Sequence, residues 1–128
     1  RHPWPARILA LELIAELRID QPIYSKARPR VARGHAFMPK AYMDKRKAML
    51  ASIKEQYTGD PLEGPLRVEI DVEGEGRADT DNVAGALMDC ANGVLWTDDR
   101  VSIISELQVR WKKAKKADSV WFVRIYAV

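Results

Sequence analysis

Leu66, Val68, Ile70 and Val72 alternate with Arg67, Glu69 and Asp71, the clearest period of two along the chain. Successive side chains point to opposite faces of a strand, so this pattern predicts a half-buried strand over residues 66–72. Residues 13–19 alternate more loosely, with Leu13, Ala15, Leu17 and Ile19 on one side. They read as a strand, although the apolar run over 8–17 fits a helix equally well. Ile103, Leu107, Val109 and Trp111 predict a further strand. Residues 120–128, rich in aromatic and β-branched side chains, predict the last one.

A helical period occurs twice. After Pro39, which suits a first helical turn, Tyr42, Met49, Ile53 and Tyr57 recur with Lys45, Arg46, Lys47 and Lys54 between them. This predicts an amphipathic helix over 41–57. Val83, Leu87, Cys90 or Ala91, and Val94 define a second helix over about 82–93. Asp79 or Asp81 is its candidate cap and Asn92-Gly93 its stop. Gln21-Pro22 ends the first strand, residues 25–34 form a basic loop or hairpin, and 35–38 is a short returning strand. Residues 1–7, with Pro3, Trp4 and Pro5, read as an irregular lead-in that extends at most to residue 12. Residues 112–118 read as a basic turn. The order is strand, basic loop, helix, strand, helix and a hairpin of two strands. It predicts an α+β (mixed α/β) domain with one mixed sheet covered by two main helices.

The 128 residues, 47% of them hydrophobic, suit a single domain over 1–128 with a core that needs no disulfide or structural zinc. Cys90 is the one cysteine and reads as a small buried apolar residue. A lone cysteine cannot form an internal disulfide, which points to an intracellular, cytoplasmic protein, and no cysteine and histidine cluster has the spacing of a structural zinc site. The apolar run near the start is broken by Glu12 and Glu16 and is too short to cross a bilayer, so no membrane partner is expected. The net charge of +3 is unevenly placed. Lys26, Arg28, Arg30, Arg33, Lys40, Lys45, Arg46 and Lys47 precede an acidic centre, and Arg110, Lys112, Lys113, Lys115 and Lys116 follow it. Basic flanks around acids suit a protein that holds a polyanion while cations sit on the acids, although ordinary solvated surface explains charge alone as well.

Asp79 and Asp81 lie where the strand pattern gives way to the helix, and in extended backbone both carboxylates point to one side. A helix cap uses one aspartate and leaves the other unexplained. The EF-hand pattern fails, because Val83 and Ala84 stand where a ligand and the turn glycine belong. Carboxylate clusters that bind magnesium serve phosphodiester cleavage. No serine, histidine and acid set or phosphate-cradling glycine loop competes, and His2 and His35 lie in bland contexts.

Asp79-Thr80-Asp81-Asn82, a helix, and then Asn92-Gly93-Val94-Leu95-Trp96-Thr97-Asp98-Asp99 resembles the RusA family of Holliday junction resolvases. That family's motif runs Asp-x-Asp-Asn, helix, tryptophan and paired aspartate. Lys26-Ala27-Arg28-Pro29-Arg30 is similar to the basic loop of its phage and prophage members, and the resemblance spans about residues 20–109. It implies a homodimeric, magnesium-dependent endodeoxyribonuclease, with manganese as an alternative ion. Such an enzyme resolves four-way DNA junctions by paired symmetric nicks in recombination and repair, in a bacterial or phage setting. It implies Asp79, Asp81 and Asp99 as the essential metal-binding aspartates, Asp98 as a neighbouring ligand and Asn82 as an orienting residue. Lys26, Arg28, Arg30 and Arg33, with Lys112, Lys113, Lys115 and Lys116, are expected to grip phosphates.

The chain departs from the family at Gly85, where the resemblance implies a catalytic lysine. Inside a helix glycine costs about 1 kcal/mol relative to alanine. Arg100 and Lys112 to Lys116 are the candidates for supplying the charge from elsewhere. Glu69, Asp71, Glu73 and Glu75 also occupy a stretch that is basic in some relatives. The second helix is about 18 Å long, so Asp99 leaves from the end opposite Asp79. Six extended residues just cover that length, at about 3.5 Å each. Either the connection doubles back, or Asp99 completes the site of a second subunit. Three functions are expected in order: junction cleavage, junction binding without cleavage because of Gly85, and a basic nucleic-acid module whose acids are caps and surface charge.

Overall fold

Strand β4 (Leu66–Gly74) buries Leu66, Val68, Ile70 and Val72 on one face, as its alternation predicts, and lies inside the main sheet. The computed structural model describes residues 11–128, so the lead-in expected at the start lies largely outside the described residues. The chain continues as β1 (Glu12–Ile19), β2 (Arg30–Ala32), β3 (His35–Phe37), α1 (Lys40–Gln56), β4, α2 (Thr80–Ala91), β5 (Ile104–Lys113) and β6 (Val120–Ala127). β1, β6, β4 and β5 form one mixed sheet in that order, and β2 with β3 forms a small separate hairpin. The two-residue turn between them has Arg33 at φ 51° and Gly34 at φ 77°, the left-handed pair that matches the strands' twist.

The strands and helices fall where the periodicity predicts them, but the closing hairpin does not form. β5 pairs with β4 in parallel, whereas β6 inserts antiparallel between β1 and β4. The basic turn expected over 112–118 is shorter than predicted: Lys112 and Lys113 finish β5, and a single 3-10 turn covers Lys116–Asp118. The reason is polarity. β6 buries Val120, Trp121, Val123 and Ile125, which favours the centre of the sheet, while the charged second half of β5 tolerates an edge.

Both helices belong to one core with the sheet, built on Leu17, Met49, Ile53, Ile70, Leu87, Trp96 and Trp121. The opposite face of the sheet is a polar lattice. Arg110 Nε and Nη2 donate to the Asp71 carboxylate at 2.7 and 2.8 Å, and Arg124 donates to both Asp71 and Glu69. Arg67 reaches Glu69 and Gln108. The hydrogen bonds from Arg110, and then those from Arg124, hold the Asp71 carboxyl below its ordinary value. Glu69 and Asp71 are thus neutralised within the sheet, away from the helices.

Topology decides what lies at each end. β1, β4 and β5 run in one direction, so their C-terminal ends, with the loops that follow, share one end of the sheet. α2 carries the chain back to the other end, as a parallel crossover requires.

Candidate active site

Between β4 and α2 the chain makes a tight turn over residues 75–79. Gly74 has φ 154°, and at Gly76 a Cβ would stand 2.6 Å from the Trp111 ring, so the indole lies directly on the turn. Trp111 Nε1 also donates to the Gly74 carbonyl at 3.2 Å. The turn delivers Asp79 in extended backbone as the residue before α2, with its carbonyl accepting from Val83 N–H. Its side chain makes no capping hydrogen bond. Asp81, in the first helical turn, accepts from the neighbouring Asn82 N–H at 2.9 Å. Both aspartates are exposed, and among the described residues neither has an ion-pair partner. The capping explanation therefore accounts for neither carboxylate. Two uncompensated acids at a helix N-terminus fit a hard cation, which takes oxygen ligands.

Two basic segments start from the same end. Gly74 pairs with Lys113, and the Gly74 carbonyl accepts from Ala114 N–H, which sets Lys112, Lys113, Lys115 and Lys116 beside the acid turn. The loop after β1 crosses to α2, where Lys26 N–H donates to the Asn82 carbonyl at 2.8 Å, and from it the hairpin carries Arg30 and Arg33. Arg28, Arg30, Arg33 and the four lysines are exposed, and none has an ion-pair partner among the described residues. Between this loop, α1 and the acid turn is a cavity of about 390 Å³ lined by Ser25, Tyr42, Lys45 and Arg77. The Tyr42 hydroxyl is buried with Asp89 near it, and burial first, then the Asp89 charge, pushes its pKa up.

Asp98 and Asp99 lie at the other end of the sheet. Trp96, fully buried, donates from Nε1 to Asn92 Oδ1 at 2.9 Å and clips the end of α2. Leu62 then accepts from Thr97 N–H and Leu66 N–H donates to Ile103, tying the segment to the start of β4 and β5. The connection does not double back along α2. Asp98 accepts from Asp99 N–H at 2.9 Å and faces Arg100 at 3.5 Å. Among the described residues, no three histidine, cysteine or acidic side chains come close enough to share an ion. One chain thus brings Asp79 to Asp81 but not Asp99 to either, and Arg100 stays with Asp98.

Two contacts had no signal in the sequence. Lys26 lies against α2, and Asp89, one turn beyond Gly85, faces Lys26 at 3.9 Å and Arg46 at 3.6 Å. The Lys26 contacts depend on the path of a loop that no periodicity describes, and the Arg46 contact on how the two helices pack.

An α+β domain that sets a pair of exposed aspartates next to a lysine-rich strand end and a basic loop fits the class of proteins that work on a polyanion at an acidic edge. The family model of Endodeoxyribonuclease RusA matches residues 20–125 of the 128, and the chain belongs to that family of endodeoxyribonucleases acting on Holliday junctions. A comparison with curated proteins finds no match.

Proposed function

We propose that the protein is a homodimeric, magnesium-dependent junction endonuclease whose two sites are each completed by both copies. The carrying observation is that Asp79 and Asp81 stand free at one end of the sheet while Asp99 stands at the other. In a two-fold dimer, antiparallel apposition of the β5 edges brings each Asp99 to the partner's Asp79 and Asp81. β5 suits that contact. It is an edge strand with Val101 just before it 85% exposed, and Leu107 and Trp111 are 42% and 53% exposed. An edge that offers both unpaired backbone groups and apolar side chains favours pairing.

In this reading Asp79 and Asp81, with Asp99 of the partner subunit and Asp98 beside it, hold magnesium or manganese. The ion supplies charge that offsets the negative charge growing on the attacked phosphate and makes a bound water more acidic. The helix N-terminus adds a fixed positive potential to the same place. Lys112, Lys113, Lys115 and Lys116 on one side, and Arg28, Arg30 and Arg33 on the other, hold the flanking phosphates, so binding weakens steeply with salt. Two sites related by a two-fold axis suit paired symmetric nicks in a four-way junction. Hydrolysis adds water across one phosphodiester in each nick, leaving a phosphate end and a hydroxyl end.

Cleavage of a synthetic four-way junction tests this. The protein is expected to nick it with magnesium and not with chelator, and Asp81→Asn is expected to bind the junction but lose about a hundredfold or more in rate. Magnesium-dependent cleavage by Asp81→Asn at the unmodified rate overturns the assignment.

A further inference from the structure

We infer that Lys26 is the cation that serves the acidic site, swinging back to it from the groove at Gly85 in which its side chain rests. The inference rests on the junction-nuclease reading and adds a residue to it. Asp81, Gly85 and Asp89 follow one another at four-residue spacing, so they form one stripe along α2. Lys26 lies along that stripe. Its main chain is fastened at the first turn, where its N–H donates to the Asn82 carbonyl at 2.8 Å. Its side chain then passes over Gly85, since a Cβ built there would meet Lys26 Cδ at 3.5 Å and Lys26 Cβ at 3.6 Å and no other neighbour closer than 4 Å. A larger residue at position 85 would occupy the groove in which the lysine rests.

The ammonium rests 3.9 Å from Asp89, and both side chains are substantially exposed. Such a pair is weak and screened. Asp89 also has Arg46 at 3.6 Å, so it keeps a counter-charge when Lys26 leaves. Lys26 is therefore held in a resting position by a contact that a phosphate and its negative charge readily replace, while its backbone anchor keeps it at the turn that carries Asp81. The other bases considered from the sequence differ on this point. Arg100 stays with Asp98 at the far end, and Lys112 to Lys116 belong to the β5 end and its following turn. Lys26 is tied by hydrogen bond to the helix of the acids. Its role is to place positive charge against the phosphate being cut, and its flexible stem allows the reach.

The experiment compares four proteins on a four-way junction with magnesium, under single-turnover conditions and saturating protein: the unmodified chain, Asp81→Asn, Lys26→Ala, and Lys26→Ala with Gly85→Lys. The expected result is that Lys26→Ala cuts about a hundredfold more slowly while still saturating with junction. Gly85→Lys is expected to restore at least about tenfold of that loss, because it returns a lysine to the same stripe. A rate for Lys26→Ala equal to the unmodified protein overturns the inference. So does a loss of affinity alone, or a rate loss that Gly85→Lys does not recover, since these assign Lys26 to general backbone contact or to loop shape. Failure of the underlying reading looks different: the unmodified chain does not cut, or Asp81→Asn cuts as well as it does.

Discussion

Asp71 illustrates how a charge that suggests one role by position takes another by contact. It falls in an acidic run leading to the site, yet Arg110 and Arg124 enclose its carboxylate on the outer face of the sheet. Its pKa lies below the ordinary 3.8, so the unfolded chain binds this proton more readily than the folded one. The stabilisation is complete above roughly pH 5 and is lost as pH falls through the depressed value. Asp71→Asn is expected to cost about 1–3 kcal/mol at neutral pH. In denaturant unfolding, that difference should shrink as the pH is lowered towards the acid limb. Loss of stability that is equal at all pH values contradicts the assignment. Cys90, whose thiol is pushed up to about 11 by burial, conforms to the small apolar role read from its position.

At the scale of elements, the alternation of β4 and the helical periods of α1 and α2 were legible because each buries one face against a single neighbour layer. The pairing of β5 and β6 was not. Two antiparallel strands joined by a short turn read alike whether they touch or flank a third strand, since the extra span is only about 5 Å. The six residues 114–119 bridge the gap over β4. What placed β6 inside was its ability to bury one face while pairing along both edges, and that left β5 exposed. Leu107→Lys puts a charge on this edge without opening the core. It is expected to weaken self-association by about tenfold or more in sedimentation, with the folded circular dichroism retained and cleavage reduced in parallel. A monomeric, fully active Leu107→Lys protein would rule out this edge as the interface.

The fold separates Asp79 and Asp81 from Asp98 and Asp99 by the length of a helix. Mixing Asp79→Asn protein with Asp99→Asn protein therefore has a defined outcome. Each is expected to be inactive alone. Mixed heterodimers contain one site with all its aspartates and should recover a fraction of the nicking, read on one strand at a time. No recovery in a mixture shown to exchange subunits argues for sites within single chains.

The strands and helices and the family were legible from the chain itself, because the apolar periods, the Asp-x-Asp-Asn run and the segment from Asn92 to Asp99 are local patterns. The Trp96 clip also explains why Asp98 and Asp99 follow it: it ties their segment to the start of β4 and β5. Tertiary structure alone decided which charges meet. The antiparallel insertion of β6, the return of α2 and the crossing of Lys26 over Gly85 join residues far apart in sequence. Such contacts follow from the burial of the whole sheet, which no local period encodes.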